Sequence, residues 1–165
     1  MNKEKFVIAI NGLRQSYNRL EKSIIGINNE DIHDEIYLSL SETLLWINVL
    51  SVICNPKNNE VMKKIKVPYI KIKKVLGMKH AFNLVKHCID LVELHNIKEE
   101  TFFLSSSFPA SFKAATWKKL KELPEGGNNQ DNKTYYEEYL QGRKIIYTIK
   151  EIKEVYEDVQ KELDY

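Results

Sequence analysis

The residue types best suited to chemistry lie close together within residues 67–95. Lys79, Asn83 and His87 are spaced i, i+4 and i+8, so on a helix their side chains stack along one face. His80 belongs to the same polar side of that helix. Histidine transfers protons near neutral pH, and a lysine can hold the charge of a phosphate. These four residues are therefore the candidate catalytic residues, and we expect them to line a polar cleft or a seam between two copies.

A basic run overlaps the start of this stretch. Eight lysines fall within 23 residues that hold one acid, Glu60. Because the net charge of the whole chain is only +2, the distribution of charge says more than the total. We predict that six of these lysines hold an RNA backbone or an acidic protein partner, although a solvated helix face gives the same pattern. The six are Lys63, Lys64, Lys66, Lys71, Lys73 and Lys74.

Long segments with helical periodicity must position these side chains. Apolar residues recur at i, i+3, i+4 and i+7 in four of them, and we predict helices over residues 3–27, 32–53, 67–95 and 143–163. Pro68 suits the first turn of the third helix, and Gly142 is expected to end or bend a shorter helix around residues 135–140. The second helix is apolar around much of its girth, so we expect it to be sandwiched between others.

The composition favours an all-α protein. Six Gly and four Pro are few for 165 residues, and 43% hydrophobic content is ordinary for a globular chain. We predict one domain over residues 1–165, built as a bundle of four to five helices. Residues 100–130 form an irregular segment in this prediction, with a short strand within residues 101–115 as one option. The chain from about residue 100 is expected to be a looser extension that packs back on the bundle.

The residues around Asn83 resemble the motif of the HEPN group of bacterial helical domains. The mark of that group is an arginine, a polar residue, three variable residues and a histidine. Here the corresponding segment reads Phe-Asn-Leu-Val-Lys-His, so Asn83 and His87 match the polar residue and the histidine. Phe82 stands where the arginine should be. The resemblance extends in topology over roughly the first 95 residues and implies a helical bundle.

Family members that cut RNA do so without a metal ion. The resemblance implies that the histidine moves protons while the arginine holds the developing phosphate charge. Loss of one such donor can lower a rate by ~10²–10³, so the departure at Phe82 predicts a binding module rather than an enzyme. In the alternative, the protein is a metal-independent endoribonuclease that uses His87. Lys79 or His80, or less favourably Lys86, then replaces the missing cation.

Three functional hypotheses follow. The leading one is a non-catalytic, dimeric, binding or regulatory HEPN-like module in a bacterial or phage conflict system, such as toxin–antitoxin or phage defence. The endoribonuclease is the second. The third is a purely structural protein–protein interaction protein, in which Asn83 and His87 only hydrogen-bond along a helix face.

No cofactor or metal is expected. His80, His87 and His95 have spacings that drift around a helix, which disfavours a metal site. Cys54 and Cys88 match no CxxC motif and suit a reducing cytosol. No segment approaches ~18 uninterrupted apolar residues, so we predict a cytoplasmic protein that does not enter a membrane.

Overall fold

A computed structural model describes residues 2–25, 32–55, 63–87, 89–97, 112–123 and 129–163. Its elements are α1 (Lys3–Ile25), α2 (Ile32–Cys54), α3 (Tyr69–Val85), β1 (Val92–Ile97), β2 (Phe112–Trp117), a 3₁₀ turn (Leu120–Glu122), α4 (Gln130–Tyr139) and α5 (Ile145–Leu163). Within the described residues the fold is a bundle of five helices with one small two-stranded sheet. The predicted all-α class is confirmed.

The core forms where the apolar lines of the long helices meet. α1 packs on α2 and α5, and α3 packs on α2, α4 and α5. In each of these helices a buried residue recurs at every third or fourth position, which is the spacing that places side chains on one face towards the core. The buried lines comprise Phe6, Ile10, Leu13, Tyr17 and Leu20 of α1, Ile36, Leu40, Leu44, Ile47 and Leu50 of α2, and Ile145, Ile149, Ile152, Tyr156 and Val159 of α5.

The opposite side of α2 is not covered, so the expectation of a sandwiched helix is wrong for that side. Leu38 and Val52 are 67% and 66% exposed, and Leu45 is 42% exposed. By length and composition alone His33–Cys54 could cross a membrane, and 44% of its most apolar window is buried inside the protein. This is weak evidence for a membrane, because core helices of soluble proteins meet the same criterion.

α3 is shorter than predicted, and the helix over residues 67–95 is wrong beyond Val85. Asp90 accepts a hydrogen bond from the backbone N–H of Val92 at 2.9 Å, a local side-chain bond that competes with helix formation. The chain then continues as β1, where buried Val92 and half-buried Leu94 alternate with the more polar Glu93. This period of two is the signal of a half-buried strand.

β1 pairs antiparallel with β2, with Val92 opposite Trp117 and Ile97 opposite Phe112. β2 lies in the part of the chain where a short strand was one option, whereas its partner β1 was expected to be helical. Of the predicted irregular segment, residues 100–111, with the aromatic residues of 101–108, and residues 124–128 lie outside the described residues, as does Cys88. β2 also contacts α1 and α5.

The last two helices are joined by a tight turn at Gly142. Asn129 caps α4 by accepting a hydrogen bond from the backbone N–H of Asn132 at 3.0 Å. Gly142 has φ +69°, a conformation that favours glycine, and its N–H donates to the Trp117 carbonyl at 2.8 Å. The predicted helix end at Gly142 is confirmed, and the turn fastens α4 and α5 to the end of β2.

Candidate functional site

The predicted strip of four polar residues is present only in part. Lys79 and Asn83 lie on one face of α3, the first half-buried and the second exposed. His87 is exposed in the turn after Val85, so it follows the helix rather than extending its face. Neither Asn83 nor His87 forms a side-chain hydrogen bond or ion pair with any residue that the structure describes.

His80 faces the other way, which corrects its expected place on the strip. It is 2% exposed and lies against Tyr136 of α4, with the two rings edge to face and their centroids 5.7 Å apart. Burial lowers the pKa of His80, and the positive charge of Lys133 lowers it further. His80 therefore favours the neutral form and cannot serve as the missing cation on the solvent side of α3.

The surroundings of His87 bear on the RNA-cleavage alternative. A proton-transferring histidine is normally oriented by a hydrogen-bonded partner and faces a cation that stabilises phosphate charge. His87 has no hydrogen-bonded partner among the described residues, and Phe82, at the position of the family's arginine, packs half-buried against the core. In the described ranges, no group of three His, Cys, Asp or Glu side chains is placed to hold a metal ion. The histidine of β1, His95, is instead bonded to Thr116 Oγ1 at 2.8 Å.

The six predicted lysines do not form one continuous basic patch. Lys74 is 6% exposed and pairs with Glu151, while Lys64 pairs with Glu162, both acids lying on α5. Lys73 is half-buried among tyrosines. Lys63, Lys66 and Lys71 have no ion pair with a described residue and remain available to a partner. The tertiary structure thus neutralises part of the charge that the sequence places together.

The most organised polar feature is a cluster that we call the tyrosine cage: Tyr69, Lys73, Tyr135 and Tyr139. The Lys73 ammonium lies 5.1 Å from the ring centroid of Tyr69 and 5.6 Å from those of Tyr135 and Tyr139. It also donates a hydrogen bond to the Tyr139 hydroxyl at 3.3 Å, which raises the pKa of Lys73. Because the electron-rich faces of the rings attract a cation, the cage fixes a positive charge beside aromatic surface.

No protein-family model matches this sequence, and comparison with curated proteins and with solved structures found no significant match. The resemblance to HEPN domains therefore rests on Asn83, His87 and the helical pattern alone.

Sequence reasoning missed the tyrosine cage. Tyr69 and Lys73 are spaced i, i+4 on α3, as are Tyr135 and Tyr139 on α4, and each spacing places two side chains on one helix face. Those two repeats were the available signal. That the two faces meet could not be read from the sequence, because the pairs are more than 60 positions apart.

We expect His80 to make stability depend on pH near neutrality. Since the folded state lowers the pKa of His80, the unfolded chain binds a proton that the folded chain does not. The free energy of unfolding should therefore fall as pH drops through the unfolded value of about 6.5 and level off below the folded pKa. Urea unfolding between about pH 7.5 and 5.5 measures this loss.

The variant His80→Gln should flatten the pH profile, whatever its effect on absolute stability. His87→Gln is the matched control, because His87 is exposed in the turn after α3 and should leave the profile unchanged. An identical slope in the wild type and in His80→Gln would assign the dependence to other groups.

Proposed function

We propose that this chain is a non-catalytic HEPN-like binding module of a bacterial or phage conflict system, and that its tyrosine cage binds single-stranded RNA. The conflict system follows from the HEPN resemblance alone. The single observation that carries the RNA assignment is the lysine held among three tyrosines at the surface, where Tyr69 is 67% exposed. The unoriented His87 and the half-buried Phe82 support a module that binds without cutting.

The composition of this surface suits a single strand better than a duplex or an acidic protein. Exposed aromatic rings stack on unpaired bases, and each such contact is worth about 1–3 kcal/mol. Lys63, Lys66 and Lys71 lie just before and within the first turns of α3 and can contact phosphates along the strand. An acidic peptide would use the lysines but would gain little from the tyrosine rings.

Fluorescence anisotropy with a labelled, unstructured RNA oligonucleotide in EDTA tests the proposal. Tyr69→Ala should raise Kd by roughly 5- to 150-fold, which corresponds to the loss of one stacked base. Tyr147→Ala is the matched control, because Tyr147 of α5 is 60% exposed and also has a lysine, Lys144, 5.5 Å from its ring centroid. Binding should weaken with salt, with a log–log slope of about −0.7 for each phosphate contacted.

The same experiment separates the alternatives. Wild-type protein that does not bind RNA, or equal losses in Tyr69→Ala and Tyr147→Ala, would contradict the assignment. Binding of polyglutamate in place of RNA would identify an acidic protein as the partner. Intact RNA is the expected result in EDTA, whereas cleavage that disappears in His87→Ala would establish the endoribonuclease.

A further inference from the structure

An apolar line runs along the outside of α2, on the side away from the core. Leu38, Leu45 and Val52 are exposed and spaced seven residues apart, so they lie on one side of the helix about two turns from one another. Ile8 of α1 is 64% exposed and adds to the same surface at the Val52 end, where it and Val52 line one cavity. Large apolar side chains exposed in such a row mark an interaction surface.

A cavity of about 370 Å³ opens beside one end of this line, between α1 and α2. Its walls are largely apolar, and Lys5 is the one charged residue among the described residues that line it. The apolar lining residues are Ile8, Ala9, Trp46, Val49, Val52 and Ile53. Leu38 projects at the other end of the line, so the surface carries an apolar knob at one end and an apolar cavity at the other.

We propose that this face joins two copies of the chain in a two-fold symmetric dimer, with α2 antiparallel to α2 of the second copy. In a two-fold interface, if one residue contacts another across the interface, the reciprocal contact also forms. An axis passing at Leu45 places Leu38 of each copy opposite Val52 of the other, because both lie seven residues from Leu45. Each Leu38 then enters the other copy's apolar cavity, and the two Leu45 side chains meet on the axis.

Charge favours the antiparallel arrangement. α2 contains no lysine or arginine, and its first turn carries Asp34 and Glu35 near Leu38. Glu42 is paired with Arg19 of α1. Among the described side chains at the Leu38 end, the three acids Asp34, Glu35 and Glu42 exceed the two bases Arg19 and Lys22 by one negative charge. The Val52 end carries Lys5. Antiparallel pairing brings this lysine to the acidic end of the second copy, whereas parallel pairing would bring the two acidic ends together.

This dimer differs from the one expected from the sequence. The strip of Lys79, His80, Asn83 and His87 was predicted to form either a polar cleft or the seam between two copies. The proposed interface lies instead on α1 and α2, away from the tyrosine cage on α3 and α4. A lipid surface is the competing occupant of an exposed apolar helix. The charge of the face disfavours it, because among the described side chains Lys5, Arg19 and Lys22 are balanced by Asp34, Glu35 and Glu42. Most natural membranes attract a surface of net positive charge.

Sedimentation equilibrium tests the interface directly. The molecular mass of the wild type should be twice the 19.4 kDa of one chain. Leu45→Glu should have the mass of a monomer, because two carboxylates would meet on the axis. Tyr147→Glu, a similar change at an exposed residue of α5, should remain dimeric. A monomeric wild type at high micromolar concentration, or dissociation in both variants, would overturn the proposal.

A charge exchange tests the antiparallel arrangement, with circular dichroism used to confirm that each variant is folded. Lys5→Glu and Glu35→Lys should each weaken the dimer several-fold by placing like charges together. Mixing the two variants should restore association. In the mixed dimer the introduced glutamate meets the introduced lysine, and the unchanged Lys5 meets the unchanged Glu35.

Failure of the mixture to associate more strongly than either variant alone would refute the antiparallel pairing. Phosphatidylcholine vesicles provide the last comparison. Wild-type protein that remains monomeric in solution but floats with these vesicles would assign the face to lipid instead.

Discussion

Replacement of Trp117 with alanine should lower the free energy of unfolding by about 3–5 kcal/mol, the largest effect that we expect from a single change. Trp117 is fully buried, and its indole N–H donates to Thr148 Oγ1 of α5 at 2.8 Å. Its ring lies edge to face against Tyr136 of α4, with the centroids 6.2 Å apart. The side chain therefore joins β2 to both C-terminal helices, and its removal leaves a void among all three.

The contributions of volume and hydrogen bonding can be separated with Thr148→Val. This change keeps the indole in place but leaves its buried N–H without the Thr148 acceptor, at an expected cost of about 1–3 kcal/mol. Urea unfolding monitored by far-ultraviolet circular dichroism measures both variants. Equal losses in Trp117→Ala and Thr148→Val would mean that the hydrogen bond, rather than packing, accounts for the stabilisation.

Substitution of Gly12 by alanine should lower the free energy of unfolding by about 1–3 kcal/mol, although alanine is the better helix former. A Cβ atom at position 12 would lie 2.3 Å from the nearest atom of the Trp46 ring and within 2.7 Å of two others. The indole must move or α1 and α2 must separate. Either response alters the cavity that Trp46 helps to line, so the proposed dimer should weaken as well.

The clash with Trp46 predicts a coupling that can be measured. In a Trp46→Ala background, Gly12→Ala should lose most of its cost, because the obstructing ring is absent. Gln15→Ala is the control for helix propensity, since Gln15 is exposed on the same helix. A cost of Gly12→Ala that is the same with and without the indole would show that something other than this contact opposes the alanine.

The sequence alone determined most of the helices. α1, α2 and α5 begin and end within about two residues of their predicted limits, since apolar periodicity is a local property that a long helix repeats many times. The turn at Gly142 could also be predicted from the sequence, because its left-handed backbone conformation favours glycine.

The tertiary structure decided where α3 ends. The apolar pattern of residues 67–95 fits one continuous helix as well as it fits a helix followed by a short strand. Whether the residues after Val85 form a helix or a strand depends on β2, which pairs with β1 and lies about 20 positions after it in the sequence. Strand pairing at that separation is invisible to any local pattern, and the alternation in Val92–Ile97 was too short to compete with the longer helical period.

The candidate site shows the same division. Residue types and spacing identified Asn83, His87 and the lysines, but the sequence could not show that His80 faces α4 or that Lys74 pairs with Glu151, 77 positions away. It also could not show that Leu38, Leu45 and Val52 remain uncovered. Periodicity specifies which side chains of a helix can be buried together. Which of them are in fact buried depends on how distant segments pack, because burial and ion pairing require neighbours that are remote in the sequence.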